Sequence, residues 1–422
     1  MTSSQKSKSN NATLLIVLIM TVLAAILLAA FSSGAHGEAG AAIAGSSDQA
    51  LGNIYDSLKY EKSIHILAML LVGFGFLMVF VRKHGFSSIT ATFLVVSVAL
   101  PLYMLIRSFG GEEFQLSITS IDSFILAEFA AASLLIAIGA PLGKLKMDQY
   151  LVMALLFIPA YIINEWLMLE SGYFPGFVDA GGSVVIHAFG AYFGMGVIAG
   201  TYSKFENGPQ SESNGVSNQF CLIGSMILWI FWPSFTSALV APEQVPVTAI
   251  NTVFALCGAT LSTYVFSKLL RGKIEIEDIA NAALAGGVAI GSVCNLAMPG
   301  YAMLIGIAAG MLSTFGYAVI APRLEKILKG TDTCGVHNLH GMPGVFGGLA
   351  GIFFANSAGV QLGGVVVTVL IAFVFGSISG SAIRLLGQKK VPYSDEDEFF
   401  VEHGAAEPMD VYAIGSAQEA NA

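Results

Sequence analysis

Twelve runs of about 20 predominantly apolar residues set the limits on what this 422-residue chain can fold into. Each is long enough to cross the hydrocarbon layer of a bilayer as one α-helix, which takes roughly 20 residues. Cut at the charged and Gly/Pro/Asn-rich breaks between them, the runs lie near 13–33, 64–81, 87–106, 121–143, 148–169, 180–203, 217–241, 247–269, 276–298, 300–321, 332–355 and 361–384. The expected fold is an all-α polytopic membrane protein of 11–12 transmembrane helices. Composition agrees, with 55% of residues hydrophobic and 11% charged, against about 45–50% and about 25% in soluble domains.

The positive-inside rule tests the count, because one missed or invented helix would scramble the alternation of basic loops. With the N-terminus inside, Lys6, Lys8, Arg82, Lys83, Lys144, Lys146, Lys204, Lys268, Arg271, Lys273, Arg323, Lys326, Lys329, Arg384, Lys389 and Lys390 are cytoplasmic. Only Lys59, Lys62 and Arg107 of the 19 basic residues remain outside, a bias hard to obtain from a wrong topology. The first run is ambiguous, since Lys6 and Lys8 before an apolar core and small residues around Ser32 to Gly37 also describe a secretory signal. Its long core favours a retained helix, and cleavage would leave eleven helices with the same orientation.

The formal charge of −9 gathers in the tail, where the stretch from Ser394 to Ala422 holds eight acids and no Lys or Arg. No basic footprint for nucleic acid exists, no Gly-rich loop ends in Gly-Lys-Ser/Thr, and no Cys/His spacing fits a zinc site. Cys221, Cys257, Cys294 and Cys334 fall in four different runs, which argues against a disulfide framework. A soluble enzyme and a pore lined by charges are both excluded. The chain is expected to need no cofactor and no metal, and to work within the membrane without ATP.

One template occurs twice. Asp179, seven residues, His187, five residues and Phe193-Gly194 match Asp332, seven residues, His340, five residues and Phe346-Gly347. The copies sit on the sixth and eleventh runs, five helices apart, so they cross in opposite senses. That is the signature of an inverted five-helix repeat surrounding a central pore, with the working site where the halves meet. Counting about 1.5 Å per helical residue, each His would lie roughly 12 Å deeper than its Asp, near the midplane. A symmetry-related pair of ionisable side chains at that depth reads as lining a pathway. Both Asp residues are pore-mouth acids or helix caps. His337 shares a helical face with His340 and has no counterpart in the first half, so it reads as a supporting or structural residue.

The chain resembles the ammonium transporter/Rhesus protein superfamily, and within it the Rhesus branch. The resemblance is carried by Val72-Gly-Phe-Gly-Phe-Leu-Met, Gly85-Phe-Ser-Ser, Ala127-Glu-Phe129, His187-Ala-Phe-Gly-Ala-Tyr-Phe-Gly, Leu228-Trp-Ile-Phe-Trp-Pro-Ser-Phe235, Leu284-Ala-Gly-Gly-Val-Ala and Asp332-Thr-Cys-Gly-Val-His-Asn-Leu-His-Gly-Met-Pro-Gly. It implies a homotrimer with one narrow hydrophobic ammonia pore per chain, in a bacterial inner (plasma) membrane. By the same resemblance, His187 and His340 are the paired pore histidines, Phe129 and Phe235 the stacked external gate, and Asp179 and Asp332 the acids at the ends of the two histidine helices. The ammonium branch carries an external aromatic cradle, and here that helix reads Ile162-Ile163-Asn164-Glu165-Trp166. The Asn-Glu pair matches the Rhesus pattern, with Glu165 in an acidic vestibule. Phe231 and Trp232 read as packing.

The chain then divides into a cytoplasmic N-terminus (1–12), an extra transmembrane helix or signal segment (13–33), the first half of the repeat (64–203), a cytoplasmic loop (204–216), the second half (217–355), a last helix (361–384) and an acidic cytoplasmic tail (385–422). Small residues such as Gly286, Gly287, Gly341 and Gly344 are expected to let helices approach closely around a thin passage. Ammonia, with ammonium deprotonated at the mouth and methylamine as an analogue, is the expected substrate. Carbon dioxide conduction and ammonium sensing are the alternatives.

Overall fold

A computed structural model describes residues 47–80, 84–109, 115–201, 213, 215–328, 330–387 and 393–400. The expected run at 13–33, the N-terminus before it, most of the loop at 204–216 and the tail beyond 400 lie outside these residues. Among the described residues the chain is helical and has no strand. Nine consecutive helices are long and apolar enough to cross a membrane: α1 (Leu51–Phe80), α2 (Gly85–Ser108), α3 (Ile121–Gly139), α4 (Met147–Leu169), α5 (Ser183–Thr201), α6 (Gly215–Thr236), α7 (Pro242–Arg271), α8 (Ile276–Val293) and α9 (Pro299–Ile327). A shorter helix follows at 337–353, α10, built of a five-residue π turn, nine α residues and a three-residue 3-10 turn. The last is α11 (Ala358–Leu385), again of spanning length. These are the second to twelfth expected runs.

Two boundaries differ for physical reasons. The helix that continues as α1 starts at Ser47, well before the expected 64, because polar residues there find partners. Lys59 pairs with Asp122 at 2.6 Å and Lys62 donates to the Ser237 carbonyl at 2.7 Å. α10 starts later than expected, because Asp332 to Gly335 form a turn ahead of it, with Gly335 at φ 65°. The first half repeats this: Gly182, at φ 74°, precedes the π turn that opens α5. A side chain at either position would be strained, and in both copies the glycine stands three residues after the Asp. Each Asp therefore precedes its helix instead of lying within it.

The inverted repeat is also visible in packing. A Cβ added to Gly194 on α5 would lie 2.6 Å from the Ala137 carbonyl oxygen of α3, and one added to Gly347 on α10 would lie 2.3 Å from that of Ala289 on α8. The Phe-Gly element of the template thus marks one helix contact, made once in each half. Gly286 and Gly344 meet neighbouring backbone equally closely and Gly287 lies against the Trp232 ring, whereas Gly341 faces side chains at 3.2 Å or more. The interior belongs to α5, α8 and α3, whose most apolar windows are 89%, 83% and 78% buried, against 33% for α9 and α11. α11 leaves Leu370, Val374 and Ile378 exposed, a surface suited to hydrocarbon.

α11 nevertheless holds α5 tightly. A Cβ on Gly376 would sit 2.1 Å from the Phe193 carbonyl oxygen, which is backbone and has nowhere to go. Gly376→Ala is therefore expected to lower stability by about 1–3 kcal/mol through forced separation of the two helices. Thermal unfolding in detergent measures it, and a wild-type midpoint would contradict the packing.

At the opposite end from Asp179, the 140–146 loop ties the two halves together. Thr333 and Cys334 donate their backbone N–H groups to the carbonyls of Ala140 and Gly139, at 3.1 and 3.2 Å. Lys144 donates to the Thr331 carbonyl, and burial pushes its ammonium down to about 8, with Asp332 opposing. The described part of the tail docks here too. Asp395 accepts from the backbone N–H groups of Phe86 and Ser87 at 2.9 and 2.8 Å, and Glu398 from that of Met147 at 3.1 Å, so two tail acids cap α2 and α4.

Candidate functional site

The π turns that open α5 and α10 carry the two histidines toward each other. Such turns present a side chain in a direction that a regular helix does not, and they are frequent at functional sites. Nδ1 of His187 lies 3.2 Å from Nδ1 of His340, and the rings run nearly parallel, 10° apart with centroids at 5.3 Å. Both side chains are buried. One N–H serves the contact, so one Nδ1 donates and the other accepts. With both rings neutral, one Nε2 is then an acceptor and the other carries a proton.

The other rings in contact with the pair are apolar or aromatic. Trp232 stacks on His187 at 5.5 Å, Phe235 lies 6.0 Å from it, and Phe74 stacks on His340 at 6.2 Å. Trp232, read from the sequence as packing, thus belongs to the site. Its indole Nε1 and His187 Nε2 are buried without a hydrogen-bond partner, an arrangement that favours a small polar guest. Phe231 does pack, stacking on His65 of α1 at 4.7 Å.

On one side of the histidines stand Phe129 and Phe235, ring centroids 4.6 Å apart. The rings are tilted by 49°, where the sequence resemblance implies a stack. Phe129 borders a cavity of about 380 Å³ lined also by Tyr161, Glu165, Asp179, Asn295 and Leu239. On the other side His340, Phe74, Leu77 and Leu339 border a cavity of about 20 Å³, room for about one water-sized molecule. A wide mouth, a pair of aromatic rings, two imidazoles and a narrow apolar chamber therefore follow in order.

Asp179 and Asp332 both cap. The Asp179 carboxylate accepts from the N–H groups of Val184 and Val185, at 3.1 and 2.8 Å, and from the Ser292 hydroxyl at 2.6 Å. Burial pushes its carboxyl up to about 6, against the pull of Ser292 and those two amides. Asp332 accepts from the N–H groups of Val336 and His337 at 3.0 and 2.9 Å. Asp179 also lines the wide cavity, whereas Asp332 borders one of about 10 Å³ beside Glu325 and Asn338. Glu165 accepts from the Tyr103 hydroxyl at 2.5 Å. His337 meets Tyr192 edge-on at 5.7 Å. The sequence reading took Trp232 as packing and gave no role to Phe74, Ser292 or the two turn glycines. Of these only Gly182 and Gly335 had a legible signal, the shared Asp-x-x-Gly spacing.

The model of the Ammonium Transporter Family matches residues 19–407. The chain is 42% identical over 314 residues to "Ammonium transporter Rh type B" of Xenopus tropicalis, covering 72% of this chain and 67% of that protein. To the protein of the same name from Papio hamadryas it is 39% identical over 361 residues, 78% of each. Among solved structures it is similar to Nitrosomonas europaea Rh50, with 50% identity and a TM-score of 0.80, covering 87% of this chain and 98% of that one. A structure described as "Sensor Amt Protein" shares the fold at a TM-score of 0.70 with 22% identity, covering 84% and 98%.

Proposed function

The chain belongs to the ammonium transporter family and to its Rhesus branch, transporters and channels of the membrane, and from that membership we propose that it conducts neutral ammonia down its gradient without net charge. The observation that carries this reading is the pair of hydrogen-bonded imidazoles between a wide cavity, largely apolar but lined also by Glu165 and Asp179, and a narrow apolar one. A bare monovalent cation in such surroundings loses hydration worth on the order of tens of kcal/mol, whereas ammonia loses only hydrogen bonds. Leaving a proton at the mouth is the cheaper course.

Each site residue then has a role. Glu165 favours ammonium in the wide cavity, and Asp179 shapes that cavity by holding the start of α5. Phe129 and Phe235 close the mouth without adding charge. His187 and His340 offer one donor and one acceptor to a molecule that has both, while their contact and burial among aromatic rings resist a further proton. Carbon dioxide would leave the donor and acceptor pattern unused. The same reading carries three chains around a three-fold axis, each with its own pore, and a cytoplasmic tail.

Proteoliposomes assayed for internal pH by stopped flow and for current in one preparation test it. We expect rapid alkalinisation that follows the ammonia gradient and ignores voltage. A charge crossing the field would couple to voltage by about 2.3 kcal/mol per 100 mV. A wild-type current that scales with ammonium concentration would overturn the proposal.

A further inference from the structure

Two polar bonds tie the helices that carry Phe129 and Phe235 to a single turn of α1. Ser63 donates to the Glu128 carboxylate of α3 at 2.8 Å, and Nδ1 of His65 lies 2.9 Å from the Ser234 hydroxyl of α6. Each partner is the residue immediately before a ring of the aromatic pair. Flanking contacts repeat the pattern, Lys59 with Asp122 of α3 and Lys62 with the Ser237 carbonyl at the end of α6. α1 therefore turns residues 59 and 63 toward one ring-bearing helix and residues 62 and 65 toward the other. Ser63 and Glu128 are both enclosed, and among the described residues the second oxygen of Glu128 has no partner, so the Ser63 bond is the carboxylate's one hydrogen bond there.

Adjacent helical residues point about 100° apart, so aiming Glu128 at α1 aims Phe129 elsewhere, at the pore, and the same holds for Ser234 and Phe235. A rotation of about 10° would move an atom 6 Å from the helix axis by about 1 Å. We propose that the outer part of α1 is a yoke that sets the gap between Phe129 and Phe235, with Ser63 and His65 as positioning residues acting through Glu128 and Ser234. The inference rests on the proposed role of the two rings as the constriction.

The test measures methylamine and ammonia flux per folded protein in proteoliposomes for wild type, Ser63→Ala, Phe129→Ala and the double variant. Ser63→Ala should raise the methylamine-to-ammonia ratio several-fold, up to about tenfold, as expected for one lost bond to a carboxylate. Added to Phe129→Ala it should change nothing further, because the ring it positions is gone. Glu128→Gln keeps an acceptor for Ser63 and should preserve the wild-type ratio, where Glu128→Ala should not. An unchanged ratio in Ser63→Ala beside an altered one in Phe129→Ala would overturn the yoke and leave the constriction standing. A Ser63→Ala effect undiminished in the double variant would also overturn it, since general loosening needs no Phe129. A wild-type ratio in Phe129→Ala would remove the constriction itself, and the yoke with it.

Discussion

Replacing His187 with Asp should turn a silent pathway into one that carries cation current. The wild-type imidazole shares a proton with His340 at 3.2 Å and is surrounded by Trp232, Phe235 and the second imidazole, none of which holds a full charge while both imidazoles stay neutral. A carboxylate there would offset part of the cost of moving a monovalent cation out of water, and the neighbouring ring faces would add cation–π attraction. His340→Asp should act in the same direction, through a site where Phe74 stacks on residue 340 from the inner side. Because each transferred charge couples to voltage by about 2.3 kcal/mol per 100 mV, the variant's inward-to-outward flux ratio should shift by up to about 50-fold over that span. Wild type should show no shift. Currents of equal size in wild type and both variants would mean that charge already crosses the native site, and neutral conduction would be wrong.

Much of this site was legible because membrane chemistry narrows the choices. Long apolar runs have few alternatives to spanning helices, and α1 to α11 fall on the expected runs. The repeat was legible because its two copies keep ionisable and aromatic residues in register, which a lipid-facing helix has no reason to do. Other features depended on what a side chain meets across helices. Lys59 and Lys62 read as the end of a hydrophobic run, yet partners on α3 and α6 let the helix continue outward past them. Trp232 read as one more core aromatic, since only the π turn of α5 decides that His187 comes to lie against it. A π turn leaves no mark on a 3.6-residue periodicity, so it could not be read from spacing alone.

The two acids divide along the same line, and their substitution should separate capping from recruitment of substrate. Asp179→Ala removes the acceptor for three donors, the N–H groups of Val184 and Val185 and the Ser292 hydroxyl, all buried. Leaving a buried donor unpaired costs about 1–3 kcal/mol, so the loss should reach roughly 3–6 kcal/mol, at the upper end of what single substitutions do. Ser292 belongs to α8, so the same change loosens the seam between the halves of the repeat and not merely one helix end. Asp332→Ala should cost less, because among the described residues its carboxylate accepts from two backbone N–H groups and from no hydroxyl across the seam. Asp179→Asn keeps one acceptor oxygen but turns an amide toward a backbone donor, and should fall between wild type and Ala. Thermal unfolding in detergent ranks the variants, and ammonia flux per folded molecule completes the comparison. If Asp179→Ala were as stable as Asp332→Ala and yet lost its flux, the carboxylate would be acting on the substrate, and its place at the start of α5 would be incidental.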